Sequence, residues 1–326
     1  MPGQVVVLGA RGRFGRAAVA AFHAAGWRVR ALARTNIDSG AAETFTGDAF
    51  DATTLVAATR DADVIVNALN PPYPRWRHDL PRLSANVIAA AQATGATVMI
   101  PGNVYNYGAD MPQRLDERTP QRPTSRKGRL RCEMEQSFAR ADVPTIVLRA
   151  GDFIERQKTG NWFDSHITAK IDRRRLMYPG PLDRVHAWAF LPDMARAMVG
   201  LAERRAGWAR FEEFGFAGYS LSGGELVAAI ESAAGQSLKV NGLPWPLVRL
   251  AGMVVPQFRE VAEMSYLWRV SHAIDGSKLA RALPEFRPTP LAVAMAEALA
   301  DSYSDPAQAI GAGAPPAPIN PPISVR

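Results

Sequence analysis

Three glycines in GARGRFG, at positions 9, 12 and 15, sit between the apolar run QVVVLG (4–9) and the helical pattern FGRAAVAAFHAAG (14–26). A strand that passes at once into a helix through such a turn has few ways to fold. Gly9 lets the backbone turn tightly, Gly12 lets a pyrophosphate approach, and Gly15 lets the helix pack closely on the strand. The helix N-terminus then faces the anion with its free N–H groups. In this context the spacing predicts a dinucleotide site opening a βαβ unit, formed by Gly9, Arg11, Gly12, Arg13, Phe14 and Gly15.

The next segments continue the alternation. WRVRALAR (27–34), ETFTGD (43–48), DADVIVNAL (61–69), ATVMIPG (96–102) and PTIVLRAGDF (144–153) read as strands, with helices over 80–95 and 126–141 between the later ones. Repeated βα units with the glycine turn first predict an α/β fold, a Rossmann-type doubly wound parallel sheet. Beyond residue 155 the pattern loosens into a smaller, mostly helical C-terminal part. RRRLMYPGPLDRVHAWAF (173–190) reads as loop and strand, and LPDMARAMVGLAERR (191–205) as an amphipathic helix. Ser222 and Glu225 form a capping box that starts a helix over 222–235, and further helices are expected at 244–255, 257–269 and 290–303. The expected division is a cofactor domain over 1–155 with 186–205 packing back onto it. A substrate domain takes 156–185 and 206–305, and a Pro/Gly/Ala-rich tail takes 306–326.

Composition narrows the function. With 47 % hydrophobic and 21 % charged residues in 326, the chain can bury a sizeable core. One cysteine excludes an intramolecular disulfide and a cysteine zinc site, and the five histidines form no metal-binding spacing. The net charge of +7 comes from dispersed arginines without a nucleic-acid-binding module, so anionic small molecules are the better partners. No apolar run is long enough to span a bilayer, and MPGQVVVLGA enters a strand without a leader pattern. The expected location is cytoplasmic. At the tip of the second strand ALARTN carries no acid to accept from a ribose 2′-hydroxyl. Arg34, with Arg11 and Arg13 nearby, suits a 2′-phosphate, which favours NADP(H) over NAD(H).

The glycine turn, GDAFD (47–51), NALN (67–70), NVYNYG (103–108), TPQRPTSRKGRLRCEME (119–135) and LPDMARAM (191–198) together resemble an extended short-chain dehydrogenase/reductase of the NAD-dependent epimerase/dehydratase branch. The resemblance runs from residue 3 to about 300. It implies that Asp48, with Ala49 beside it, contacts the adenine, and that Ala68, Leu69 and Asn70 line the cofactor. It also implies that 191–202 packs back on the sheet, and that a homodimer through 80–95 and 126–141 is the usual assembly. The family's catalytic Ser, Tyr and Lys positions hold Asn103, Lys127 and Arg131 here.

Lys127 and Arg131, four residues apart, share one helix face. A desolvated lysine beside another cation can serve as proton donor, and the isoflavone-reductase-like branch is similar in using one. Lys127 is therefore expected to touch cofactor and donate the proton. Arg131 would bind ribose hydroxyls, and Asn103 would donate to a substrate oxygen. The alternative is a solvated basic face. Tyr73, Trp76, Tyr105, Asp152, Phe153, His186 and Trp188 are the expected substrate-lining residues. The function this implies is NADP(H)-dependent reduction of a carbonyl or activated double bond. A non-catalytic cofactor sensor similar to NmrA-like regulators, and a sugar-nucleotide epimerase, are the other readings.

Overall fold

Strands covered on both faces need apolar residues at every position, and Gln4–Leu8 and Val64–Asn67 are buried along their whole length. They are the central pair of the fold. The computed structural model describes residues 2–35 and 42–302, so the expected tail over 306–326 lies outside the described residues. In chain order the first half contains β1 (Gln4–Leu8), α1 (Arg13–Ala24), β2 (Arg28–Ala33), β3 (Glu43–Thr46), α2 (Ala52–Ala58) and β4 (Val64–Asn67). It continues with α3 (Trp76–Thr94), β5 (Thr97–Gly102), α4 (Arg126–Arg140) and β6 (Thr145–Arg149). The second half contains β7 (Asp152–Ile154), β8 (Val185–Phe190), α5 (Leu191–Glu203), β9 (Phe211–Gly215), β10 (Tyr219–Ser222) and α6 (Gly223–Ala234). It closes with α7 (Trp245–Gly252), α8 (Pro256–Glu263), α9 (Ser277–Ala282) and α10 (Leu291–Leu299).

Seven parallel strands form the main sheet in the order β9-β6-β5-β4-β1-β2-β3. Successive strand residues point to opposite faces. Val6, Leu8, Ile65, Val98 and Val147 therefore meet α2, α3 and α4. Val5, Val7, Val64, Met99 and Ile146 meet α1 and α5. This is the Rossmann-type α/β fold that the glycine turn and the βα alternation predict.

Two departures matter for the site. The expected strand over 144–153 breaks at Gly151, where an added Cβ would lie 2.0 Å from the Ala187 carbonyl oxygen. Past that contact the chain changes sheets, and β7 pairs with β8 in a three-stranded sheet of order β10-β8-β7. Residues 186–190 thus pair within this second sheet, while Ala187, Ala189 and α5 pack back on the two cores of the main sheet. Conversely β9, expected within the substrate half, pairs with β6 and completes the main sheet. The boundary at 206 is not a structural one. The chain crosses between the two halves repeatedly, after β6, before α5, before β10 and on either side of α9, so neither is a contiguous domain.

Where β6 ends, the Arg149 guanidinium is buried and ties four elements together. It donates to Glu213 of β9 (2.6 and 2.8 Å), to Glu135 of α4 (2.8 Å) and to the Asn103 carbonyl just past β5 (2.7 Å). Tyr107 Oη adds a bond to Glu213 at 3.2 Å. Removing the cation would leave two carboxylates with little solvent, which costs several kcal/mol where a well-packed apolar replacement of all partners does not. Arg149→Met should therefore lower unfolding free energy by about 3–5 kcal/mol in urea titrations. A loss within about 1 kcal/mol would mean that the network is held no better than a surface pair.

Candidate functional site

The carboxyl ends of β1, β4, β5 and β6 open into a single cavity of about 1420 Å³. One half is built by the glycine turn. Gly9 has φ 73°, and a Cβ there would come within 2.9 Å of the Ala68 carbonyl oxygen. A Cβ on Gly15 would lie 2.3 Å from the Gly9 carbonyl oxygen, so α1 can start this close to β1 only with glycine at 15. Gly15 itself stands behind the wall, which Gly9, Arg11, Gly12, Arg13 and Phe14 form. No side chain caps α1 and its first turn holds no acid, so its positive end faces the cavity. These features fit a pyrophosphate. Ala68, Leu69 and Asn70 line the opposite side.

Arginines gather where an adenosine would end. Arg11, Arg16 and Arg34 all line this end with Asp48 and Ala49. Arg16 donates to the Arg11 carbonyl at 2.9 Å, and Arg11 donates to Thr35 Oγ1. Asp48 accepts from the Phe50 N–H at 3.0 Å. Arg13 does not join them. It reaches the other way and donates to Thr159 Oγ1 and the Thr159 carbonyl, both at 3.1 Å.

The other half of the cavity gathers Tyr73, Trp76, Asn103, Tyr105, Arg131, Asp152 and Phe153. The Tyr73 and Tyr105 hydroxyls lie 3.2 Å apart. Burial pushes the Tyr73 pKa up, opposed by the hydrogen bond from Tyr105 and by the charges of Arg13 and Arg131. Burial pushes Tyr105 well above the usual phenol range. Trp76 props Tyr73 edge-on, with ring centroids 5.0 Å apart, and anchors its own Nε1 on the Pro71 carbonyl at 2.8 Å. Asn103 accepts from the Tyr105 N–H at 3.0 Å through Oδ1. Arg131 is 6 % exposed and donates to the Pro101 carbonyl at 2.7 Å, while its Nε is buried without an acceptor. Burial holds its pKa below the ordinary guanidinium value.

Besides Gly15, three expected site residues are not on the wall. Lys127 is fully buried and its ammonium faces α8. It makes ion pairs with Glu260 (2.5 Å) and Glu263 (2.7 Å), and donates to the Glu260 carbonyl at 3.0 Å. A buried ammonium requires such partners, and they spend its donors. Lys127 meets the cavity through its neighbours, Glu260 on the wall and Tyr73, whose ring centroid is 5.0 Å from Nζ. Neither the solvated face nor the ligand-facing lysine describes it. His186 and Trp188, two apart on β8, both point into the core of the second half, where His186 stacks on Trp268 at 4.3 Å. They do not close the cavity. His186 acts on it through Asp152, whose Oδ2 lies 2.8 Å from its Nε2.

No local sequence signal marks the far wall. Thr159, Trp162 and His166 come from the segment after β7. Phe258, Glu260, Val261, Met264 and Leu267 come from α8 and the turn that follows it. The one usable signal was Glu260 and Glu263, three apart on a helix and facing a lysine more than a hundred residues away. Among the described residues no group of His, Cys, Asp and Glu could hold a metal ion, and no helix is long and apolar enough to cross a membrane.

Behind the site His272 is fully buried, with Nδ1 on the Val270 carbonyl at 2.9 Å and His186 4.5 Å away. Burial and the neighbouring His186 push its pKa down to about 3. His166, on the wall, is pushed down by burial to about 4. Both are neutral when folded and take up protons more readily when unfolded. Their contribution is thus complete above about pH 6.5 and is lost progressively as pH falls toward 3–4. Chemical denaturation between pH 7 and 4 should show that decline, and His272→Asn should make it shallower. An unchanged slope in His272→Asn would contradict the assignment.

Comparison with known proteins agrees with this geometry. Residues 9–169 match the family model described as NAD(P)H-binding. No protein of curated function matches the chain by sequence. Solved structures match over nearly the whole chain. MoeE5 in complex with UDP-glucose and NAD is 18 % identical, with a TM-score of 0.72, covering 92 % of this chain and 98 % of that one. The enzyme WbmH of Bordetella bronchiseptica in complex with NAD+ is 15 % identical, with a TM-score of 0.71 and the same two coverages, 92 % and 98 %. The UDP-Glc/GlcNAc 4-epimerase of Campylobacter jejuni is 17 % identical, with a TM-score of 0.67, covering 91 % and 98 %. The chain carries an NAD(P)-binding domain within the fold that it shares with these three proteins.

Proposed function

We propose that the protein is an NADP(H)-dependent oxidoreductase acting on a carbonyl of a small molecule, with Tyr73 as proton donor. The observation that carries this reading is the phenol pair, Tyr73 and Tyr105, on the same wall as Asn103 and Arg131. With its pyrophosphate at the glycine turn, a bound reduced nicotinamide dinucleotide would supply the hydride that a carbonyl carbon accepts. Tyr73 Oη gives its proton to the carbonyl oxygen as charge builds there, and the Tyr105 hydroxyl then donates to the Tyr73 oxygen. The cations of Arg13 and Arg131 favour the ionised Tyr73, so this phenol is the better of the two to release a proton. Asn103 Nδ2 is a further donor for the developing oxyanion, with the charge of Arg131 on the same wall. Lys127 keeps a supporting part, since it fastens α4 to α8 behind the Tyr73 ring.

Preference for the phosphorylated cofactor rests on Arg11, Arg16 and Arg34 at a strand tip whose described residues include no acid. The UDP-glucose bound by MoeE5 and the 4-epimerase of Campylobacter jejuni offer a sugar-nucleotide epimerase as second reading. The apolar far wall, Phe258, Val261, Met264 and Leu267, weighs against a diphosphate sugar.

Turnover should be followed as NADPH consumption over a panel of aldehydes and ketones. Tyr73→Phe should lower kcat by roughly 10²–10⁴-fold and leave NADPH affinity unchanged. Wild-type rates in Tyr73→Phe would remove Tyr73 from the chemistry, and a panel on which the wild type is inert would sink the enzyme reading. Arg34→Ala should weaken NADPH about tenfold or more without changing NADH. Equal losses for both cofactors would count against a 2′-phosphate contact.

A further inference from the structure

The α7–α8 hairpin carries an apolar outer face that nothing among the described residues covers. Val248 and Val261 pin it through a small core with Leu243. Leu250, Met253 and Val254 stand out at 63 %, 81 % and 85 % exposure, with Leu247 beside them. The helices cross tightly, since a Cβ on Gly252 would come within 2.9 Å of the Arg259 backbone nitrogen. That crossing brings the exposed cations Arg249 and Arg259 to the same tip, and neither makes an ion pair among the described residues. Val255 is exposed at the tip and also lines the cavity. Apolar surface is therefore continuous from the hairpin tip to the wall formed by Phe258, Val261 and Met264. The one carboxylate on that wall, Glu260, is neutralised by Lys127 and Arg126.

We propose that the α7–α8 hairpin is a docking surface for an anionic lipid membrane, and that it sets the mouth of the cavity at the lipid surface to admit a lipophilic substrate. Aliphatic side chains flanked by arginines are the chemistry by which short amphipathic segments rest in a lipid headgroup layer without spanning it. The net charge of +7 adds attraction to an anionic surface. Only the substrate part rests on the oxidoreductase reading; docking stands without it.

Flotation of the full chain with vesicles tests docking directly. Vesicles of phosphatidylcholine with phosphatidylserine should carry the protein up, and phosphatidylcholine alone should carry much less. The bound fraction should fall as salt rises. M253D/V254D and R249E/R259E should each cut flotation by about tenfold or more, while their thermal unfolding and NADPH binding stay those of the wild type. Met253 and Val254 do not line the cavity, so NADPH titration of the same samples separates failed docking from a failed cofactor site. A wild type that stays at the bottom, or variants that float as well as it does, would overturn the proposal. A concentration-dependent dimer in sedimentation, abolished by M253D/V254D without flotation, would instead assign the face to a second copy of the chain.

Discussion

The close approach of α1 to β1 governs this molecule. Gly9 turns with positive φ against the Ala68 carbonyl, and Gly15 lies against the Gly9 carbonyl, leaving no room for a side chain at either place. That contact fixes where α1 begins and so aims its uncapped end at the strand termini. It also sets β1 beside β4 in the register that brings Asn67 opposite Leu8 and Ala68 to the cavity. A side chain at 9 or 15 would move the helix, and with it the anion cradle. The rest of the cavity is arranged around that fixed edge.

A second constraint holds the chemical end. Arg149 binds the Asn103 carbonyl, Glu135 of α4 and Glu213 of β9, so three elements from distant parts of the chain share one buried cation. Asn103 is held from both sides, by Arg149 at its carbonyl and by the Tyr105 N–H at its side chain. Tyr105 in turn meets Tyr73, which rests against Trp76 and the Lys127 ammonium. The polar groups facing the cavity are thus positioned by charge pairs outside it. Placement of this kind lets donors meet a developing charge with little reorganisation.

The cofactor half was legible because its signals are local. Gly9, Gly12 and Gly15 are spaced within one turn and one helix start, and the alternation of β1 and β4 follows from unbroken apolar runs. The Ser222–Glu225 capping box is equally local, and both of its bonds form. The chemical half was less so. Lys127 and Arg131 share a helix face by spacing, yet Lys127 turns to Glu260 and Glu263 while Arg131 turns to the Pro101 carbonyl. Nothing within the 126–141 segment reveals that choice, since α8 supplies the deciding carboxylates. The aromatic segment VHAWAF points to His186 and Trp188 as lining residues, but the pairing of β8 with β7 and β10 turns them to the core instead. Strand β9 has no strong sequence signal because FEEFG is short and places two glutamates side by side, and only its edge pairing with β6 makes it a strand.

The central claim is that the glycine turn and its arginines bind a phosphorylated nicotinamide dinucleotide. Titration of the purified protein with NADPH and with NADH, followed by nicotinamide fluorescence, tests it most directly. Saturable NADPH binding, tighter than that of NADH and weakened by added salt, is the predicted result. Equal affinity for the two would separate Arg11, Arg16 and Arg34 from cofactor choice, and no binding of either would contradict the account.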